Sequence, residues 1–124
     1  MIIEELKNYL IERGIKSVKK TEKDSQKLGG IEGFEMCRTL STPQDFENKI
    51  EELYKQSHEI FRRRPNLIKE EQEQYWRMRY QCLQVEFVYE RLKCAWRSPT
   101  LSARAVLDYS AILDKELIKT GGER

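Results

Sequence analysis

The chain predicts an all-α fold, a compact bundle of four to five helices packed around one long central helix. Three observations carry this expectation. Apolar residues recur at helical spacing in almost every segment, the prolines Pro43, Pro65 and Pro99 fall only between those segments, and no stretch shows the alternation of a half-buried strand.

The first helix is expected over Ile2–Arg13. Ile3, Leu6 and Leu10 share one side with Ile2 and Tyr9, and Gly14 is the expected stop, since glycine readily takes the left-handed conformation just past a helix end. From Lys16 to Lys27 only Val18 interrupts a lysine-rich polar run, and Gly29 and Gly30 follow, so residues 16–30 read as a charged linker. Ile31, Phe34, Cys37 and Leu40 then recur every third residue, as in a short helix. Gly33 opposes it by about 1 kcal/mol relative to alanine.

The next helix has a defined start: Thr42 as cap, Pro43 at the first helical position and Asp45 in the first turn, where a carboxylate suits the positive end of the helix dipole. Phe46, Ile50, Leu53, Tyr54, Ser57, Ile60 and Phe61 form its apolar face. Arg62, Arg63 and Arg64 end it, with Pro65 preventing continuation.

The longest helix is expected over Leu67–Trp96, with two apolar stripes. One runs Ile68, Tyr75, Met78, Cys82, Val85, Tyr89, Leu92, Trp96, the other Trp76, Tyr80, Leu83, Phe87, Cys94. At 100° per residue the stripes lie roughly 140° apart, so one neighbour cannot cover both. This predicts a central helix gripped on two sides, or one side offered to another molecule. A last helix begins near Thr100 and carries Val106, Tyr109, Leu113 and Leu117. Gly121 and Gly122 stop it, and residues 120–124 should fray.

The 124 residues fit a single domain, 35% of them charged, with a formal net charge of +2. The charge is uneven: residues 1–60 hold ten Lys/Arg against twelve Asp/Glu, and residues 61–124 hold thirteen against nine. Three cysteines without close pairing (Cys37, Cys82, Cys94) suggest free thiols in a reducing, cytoplasmic setting. The sequence contains no signal-peptide pattern and no apolar run that could span a bilayer.

Enzymatic chemistry has little to stand on. His58 is the sole histidine and lies at the edge of its helix's apolar face. The cysteines lack metal-ligand spacing, so no metal or cofactor is expected. Glu70, Glu71 and Glu73 are explained by the dipole of the helix they open. Gly29, Gly30 and Gly33 match neither phosphate-binding fingerprint. The expected function is therefore that of a non-enzymatic protein-interaction or regulatory module. Trp76, Tyr80, Leu83 and Phe87 would anchor its interface, with Arg77 and Arg79 at the rim and self-association as one form of it. The alternative is a nucleic-acid-binding protein using Arg62, Arg63 and Arg64 together with Lys19 and Lys20.

Overall fold

The computed structural model describes residues 2–20, 23–63 and 68–97, together with positions 104, 105, 107, 108 and 111, which are helical. Among the described residues every regular element is helical and none is a strand. The order is α1 (Ile2–Val18), α2 (Asp24–Met36), a 3₁₀ turn (Cys37–Thr39), α3 (Pro43–Phe61) and α4 (Lys69–Arg97). Most of the expected last helix, including Val106, Tyr109, Leu113 and Leu117, lies outside the described residues, as do Arg64 and the tail 120–124.

α3 and α4 form where the sequence places them. Thr42 caps α3 reciprocally: its hydroxyl accepts from the Asp45 amide at 3.1 Å, and the Asp45 carboxylate accepts from the amides of Ser41 at 3.0 Å and Thr42 at 3.1 Å. Those amides, Ser41 first, hold the Asp45 carboxyl below its ordinary value. α3 buries Phe46, Leu53, Ser57 and Ile60, whereas Tyr54, expected on the apolar face, is exposed.

The N-terminal third corrects the sequence reading. Gly14 does not end the first helix; α1 runs through it to Val18, because Ile15 and Val18 extend the buried stripe of Leu6, Leu10 and Ile11. A side chain on Gly14 would occupy the space filled by the ring of Phe34, which is fully buried. The charged linker expected over 16–30 contracts to the few residues between Val18 and Asp24. The short helix expected over 31–40 begins at Asp24 and gives way to the 3₁₀ turn at Cys37. Gly29 and Gly30 are not part of a linker but of the buried face of α2, along with Gly33 and Phe34.

Those glycines set how closely the helices approach. Gly29 rests on the carbonyl oxygen of Arg77 in α4. Gly33, one turn on, rests on Gln81, where an added Cβ would lie 2.6 Å from the carbonyl oxygen. On the opposite side Gly30 receives Val18 of α1. α2 is thus clamped between α1 and α4 at backbone distance, a contact that small residues alone permit.

α3 lies against a different line of α4. Phe46 stacks on Tyr89 at 5.6 Å between ring centroids and meets Trp96 edge-on at 5.8 Å. The Tyr89 hydroxyl donates to Glu47 at 2.5 Å. This acceptor, with partial burial, pushes the phenol up to about 12. The core that results is one cluster, from Leu6, Leu10, Ile11 and Phe34 through Cys82, Val85, Val88 and Leu92 to Ala95, with Leu107 packed at its edge. Lys7 is buried beside it; its ammonium donates to the Leu40 carbonyl at 2.8 Å and lies 3.5 Å from Glu4.

A charged clasp flanks the glycine contact. Arg77 Nε donates to Glu32 Oε1 at 2.6 Å, a second guanidinium nitrogen donates to Oε2, and the Gln81 amide donates to Oε1 at 3.0 Å. The hydrogen bond from Arg77 holds the Glu32 carboxyl below its ordinary value, with Gln81 assisting and partial burial opposing.

Two outcomes follow from this packing. Gly33→Ala gains about 1 kcal/mol of helix propensity, yet must push α2 off α4. The net loss should be about 2 kcal/mol, read as a lower urea midpoint with unchanged slope. For Glu32, a folded-state value below the unfolded one means its contribution is complete above about pH 4.5 and is lost as the pH falls through the folded value. Glu32→Gln should therefore cost about 1 kcal/mol at pH 7, and the difference from wild type should shrink steadily as the pH is lowered below about 4.5, by urea unfolding across that range.

Candidate functional site

The 29 residues of α4 carry more apolar surface than the bundle covers. The helix's inward line is Cys82, Val85, Val88, Tyr89, Leu92 and Ala95, all buried, of which Val88 and Ala95 belong to neither stripe seen in the sequence. α2 sits beside this line at Arg77 and Gln81, and α3 on its other side at Tyr75, Cys82 and Tyr89. Both neighbours therefore grip the first stripe and its shoulders. The expectation that the second stripe would also be gripped is met only at Phe87, which Phe34 of α2 touches; the other large residues of the stripe are left largely open by the described helices. Trp76 is 48% exposed, Leu83 41% and Phe87 38%, Cys94 is exposed, and Tyr80 is half-buried. On the first stripe, Ile68 is also exposed, because it precedes the first turn of α4.

The outward stripe is anchored rather than loose. Trp76 meets Tyr75 edge-on at 5.2 Å, and Tyr75 meets Phe61 of α3 at 5.7 Å. Phe87 meets the buried Phe34 edge-on at 6.0 Å, and the Arg91 guanidinium lies 5.2 Å above the Phe87 ring. Beside Phe87 a cleft of about 220 Å³ opens toward α1, lined by Gly14, Val18, Phe34 and Gln84 among others. The same glycine that lets Phe34 approach α1 thus creates an apolar notch at the edge of the stripe.

The two rim arginines have different fates. Arg77 faces α2 and is held by Glu32, so it serves the fold. Arg79 faces α3 and lines a cleft of about 250 Å³ with Tyr54, Ser57, His58, Phe61 and Tyr75. His58 is stacked in this cleft between Tyr54 at 6.1 Å and Phe61 at 6.3 Å. The resulting run of rings, Tyr54–His58–Phe61–Tyr75–Trp76, crosses from α3 to the outward face of α4. Sequence spacing could not show it, because it joins residues of two different helices.

The basic candidates gather at one end of the molecule. The contacts of Gly30 with Val18, Gly29 with Arg77 and Phe61 with Tyr75 place the turn bearing Lys19 and Lys20 at the same end as Arg62 and Arg63. Arg62 faces Glu59 at 3.2 Å and Arg63 faces Glu71 at 2.6 Å, while Arg64 lies outside the described residues. The same end carries a cleft of about 710 Å³ whose lining mixes Lys23 and Arg77 with Asp24, Glu70 and Glu73.

Among the described residues no group of three or more His, Cys, Asp or Glu side chains could hold a metal ion. Burial pushes the Cys37 thiol up to about 12 and the Cys82 thiol up to about 11, with Glu86 adding to the latter. Both stay protonated near neutrality and are poor nucleophiles. Cys94 is exposed on the outward stripe. A bulky thiol reagent should therefore modify one cysteine per native monomer, and Cys94→Ser should abolish that reaction, as intact mass would record. No described helix is long and apolar enough to cross a membrane. No family model matches this chain, and neither does any curated protein or solved structure.

Proposed function

We propose that this chain is a non-enzymatic interaction module that docks another protein chain onto the outward face of α4. Its scaffold is the bundle of four to five helices around that element, working in a reducing, cytoplasmic setting. One observation carries the reading: Trp76, Leu83 and Phe87 stand exposed in a row on the longest helix, on the side turned away from the core. A contiguous apolar row of this kind costs solubility, and on folded proteins it marks binding surfaces. Its residues are the types that dominate interface energetics, a tryptophan and a phenylalanine flanked by arginine. The rings are held at their bases by Tyr75 and Phe34, so little side-chain entropy is lost when a partner arrives. In this reading Trp76, Tyr80, Leu83 and Phe87 form the centre and Arg79 one edge; Arg77 acts on the face only through Glu32.

The alternative, nucleic-acid binding through Arg62, Arg63, Lys19 and Lys20, has in its favour that these cations share one end of the bundle. Against it, Arg62 and Arg63 already face carboxylates, which a phosphate would have to displace.

The test is a photoreactive benzophenone side chain placed at position 76 or, as control, at the exposed position 48 near the start of α3. Protein adducts should form in cells from position 76 and not from position 48. Leu83→Glu, which changes the face but not the core, should reduce them about tenfold, a loss of about 1.4 kcal/mol in binding. Equal adducts from both positions, or none from either, would reject the reading.

A further inference from the structure

We propose that the occupant of this face is a second copy of the same chain, lying antiparallel across a two-fold axis level with Val85. This deepens the interaction-module reading and rests on it.

A two-fold interface must be complementary to itself, each contact occurring twice with the roles exchanged. The outward stripe satisfies that condition residue by residue. Reading along α4 from Glu73 to Arg97, the positions on this face are Glu73, Trp76, Tyr80, Leu83, Phe87, Glu90, Cys94 and Arg97, with alternating steps of three and four residues. An antiparallel pair centred on residue 85 sets Leu83 against the partner's Phe87, two residues either side of the centre. Five residues out, Tyr80 meets the partner's Glu90, a phenol opposite a carboxylate. Nine residues out, Trp76 meets the partner's Cys94, the largest side chain over the smallest of the row. At the ends Glu73 meets the partner's Arg97, opposite charges. Each layer thus matches apolar with apolar, donor with acceptor, large with small, or acid with base, and the symmetry repeats each match. The apolar seam from Trp76 to Cys94 is ~27 Å long.

The parallel arrangement fails the same inspection. It stacks Glu73 on the partner's Glu73, Glu90 on the partner's Glu90 and Arg97 on the partner's Arg97, like charges in the seam itself. The flanks of the antiparallel pair are less favourable than its centre. Arg77 comes near the partner's Arg91, and Arg79 near the partner's Lys93, while Glu86 meets the partner's Glu86 at the axis. Arg77 is already matched by Glu32, and Lys93 by Glu90 at 2.9 Å. The remaining repulsion involves Arg79, Glu86 and Arg91, each half-buried, so salt, which screens over ~10 Å at 0.1 M, weakens it in part. This gives the dimer an unusual signature: added salt should tighten it. A foreign helix with acidic flanks, the other partner that these arginines suit, would instead be released by salt.

Sedimentation equilibrium of the full chain tests the proposal. The wild type should dimerise at ~10 µM or below, severalfold more tightly in 0.5 M than in 0.05 M NaCl. Leu83→Glu should sediment as a monomer with unchanged helical circular dichroism and a thermal midpoint equal to that of the wild type diluted well below its dissociation constant. Orientation is read by disulfide trapping with oxidised glutathione. Trp76→Cys should give a disulfide-linked dimer through the partner's Cys94; Trp76→Cys combined with Cys94→Ser should not, and nor should the wild type. A wild type that remains monomeric at ~1 mM, that dimerises less tightly in high salt, or that cross-links readily through Cys94 alone would overturn the antiparallel dimer. Position-76 photo-adducts containing a different protein, with the chain itself monomeric, would leave the docking face standing and remove the second copy.

Discussion

The close approach of α2 to α4 is the contact on which the remaining structure depends. α2 has few large apolar residues; its buried face is Gly29, Gly30, Gly33 and Phe34. Such a helix gains little by burying side chains, and helix propensity works against it at every glycine. What it gains is backbone-to-backbone contact along α4, with Gly29 on Arg77 and Gly33 on Gln81. Many atom pairs at van der Waals distance replace the few large burials of an ordinary amphipathic helix. The Glu32–Arg77 clasp then fixes the register of the two helices, because a bidentate guanidinium–carboxylate pair tolerates little sliding.

That contact also decides which side of α4 is inside. With α2 drawn in along Arg77 and Gln81, and α3 stacked through Phe46 on Tyr89 and Trp96, both neighbours sit on the same half of the helix. The opposite half is left to Trp76, Leu83 and Phe87. The exposed face and the fold therefore share one cause. A bulkier α2 would stand farther from α4, and Phe34 would no longer reach the base of Phe87.

The exposed face differs from an incidental apolar surface in how it is supported. Phe87 is held by Phe34 below and Arg91 above, and Trp76 by a run of rings that begins on α3. Rings fixed in this way present a formed surface, which lowers the ordering cost of association. The buried thiols Cys37 and Cys82 and the stacked His58 are accounted for by packing, which turns attention to α4 rather than to a pocket.

The amino-acid sequence by itself determined the helical class, the start of α3 and the extent of α4. These rest on local chemistry, namely the Thr42–Asp45 capping pair, proline at the ends, and runs of large apolar residues at helical spacing. It also showed that α4 is apolar on two sides. Only the tertiary structure decided the meaning of the glycines. A glycine that ends a helix and a glycine that admits a neighbour are identical in one dimension, so Gly14, Gly29 and Gly30 read as breaks until Phe34, Arg77 and Val18 were seen against them. The same holds for Arg77, whose partner lies 45 positions away in the chain, and for which of the two stripes faces inward. Periodicity reports that a face is apolar, but which face is buried depends on what the rest of the chain can bring against it.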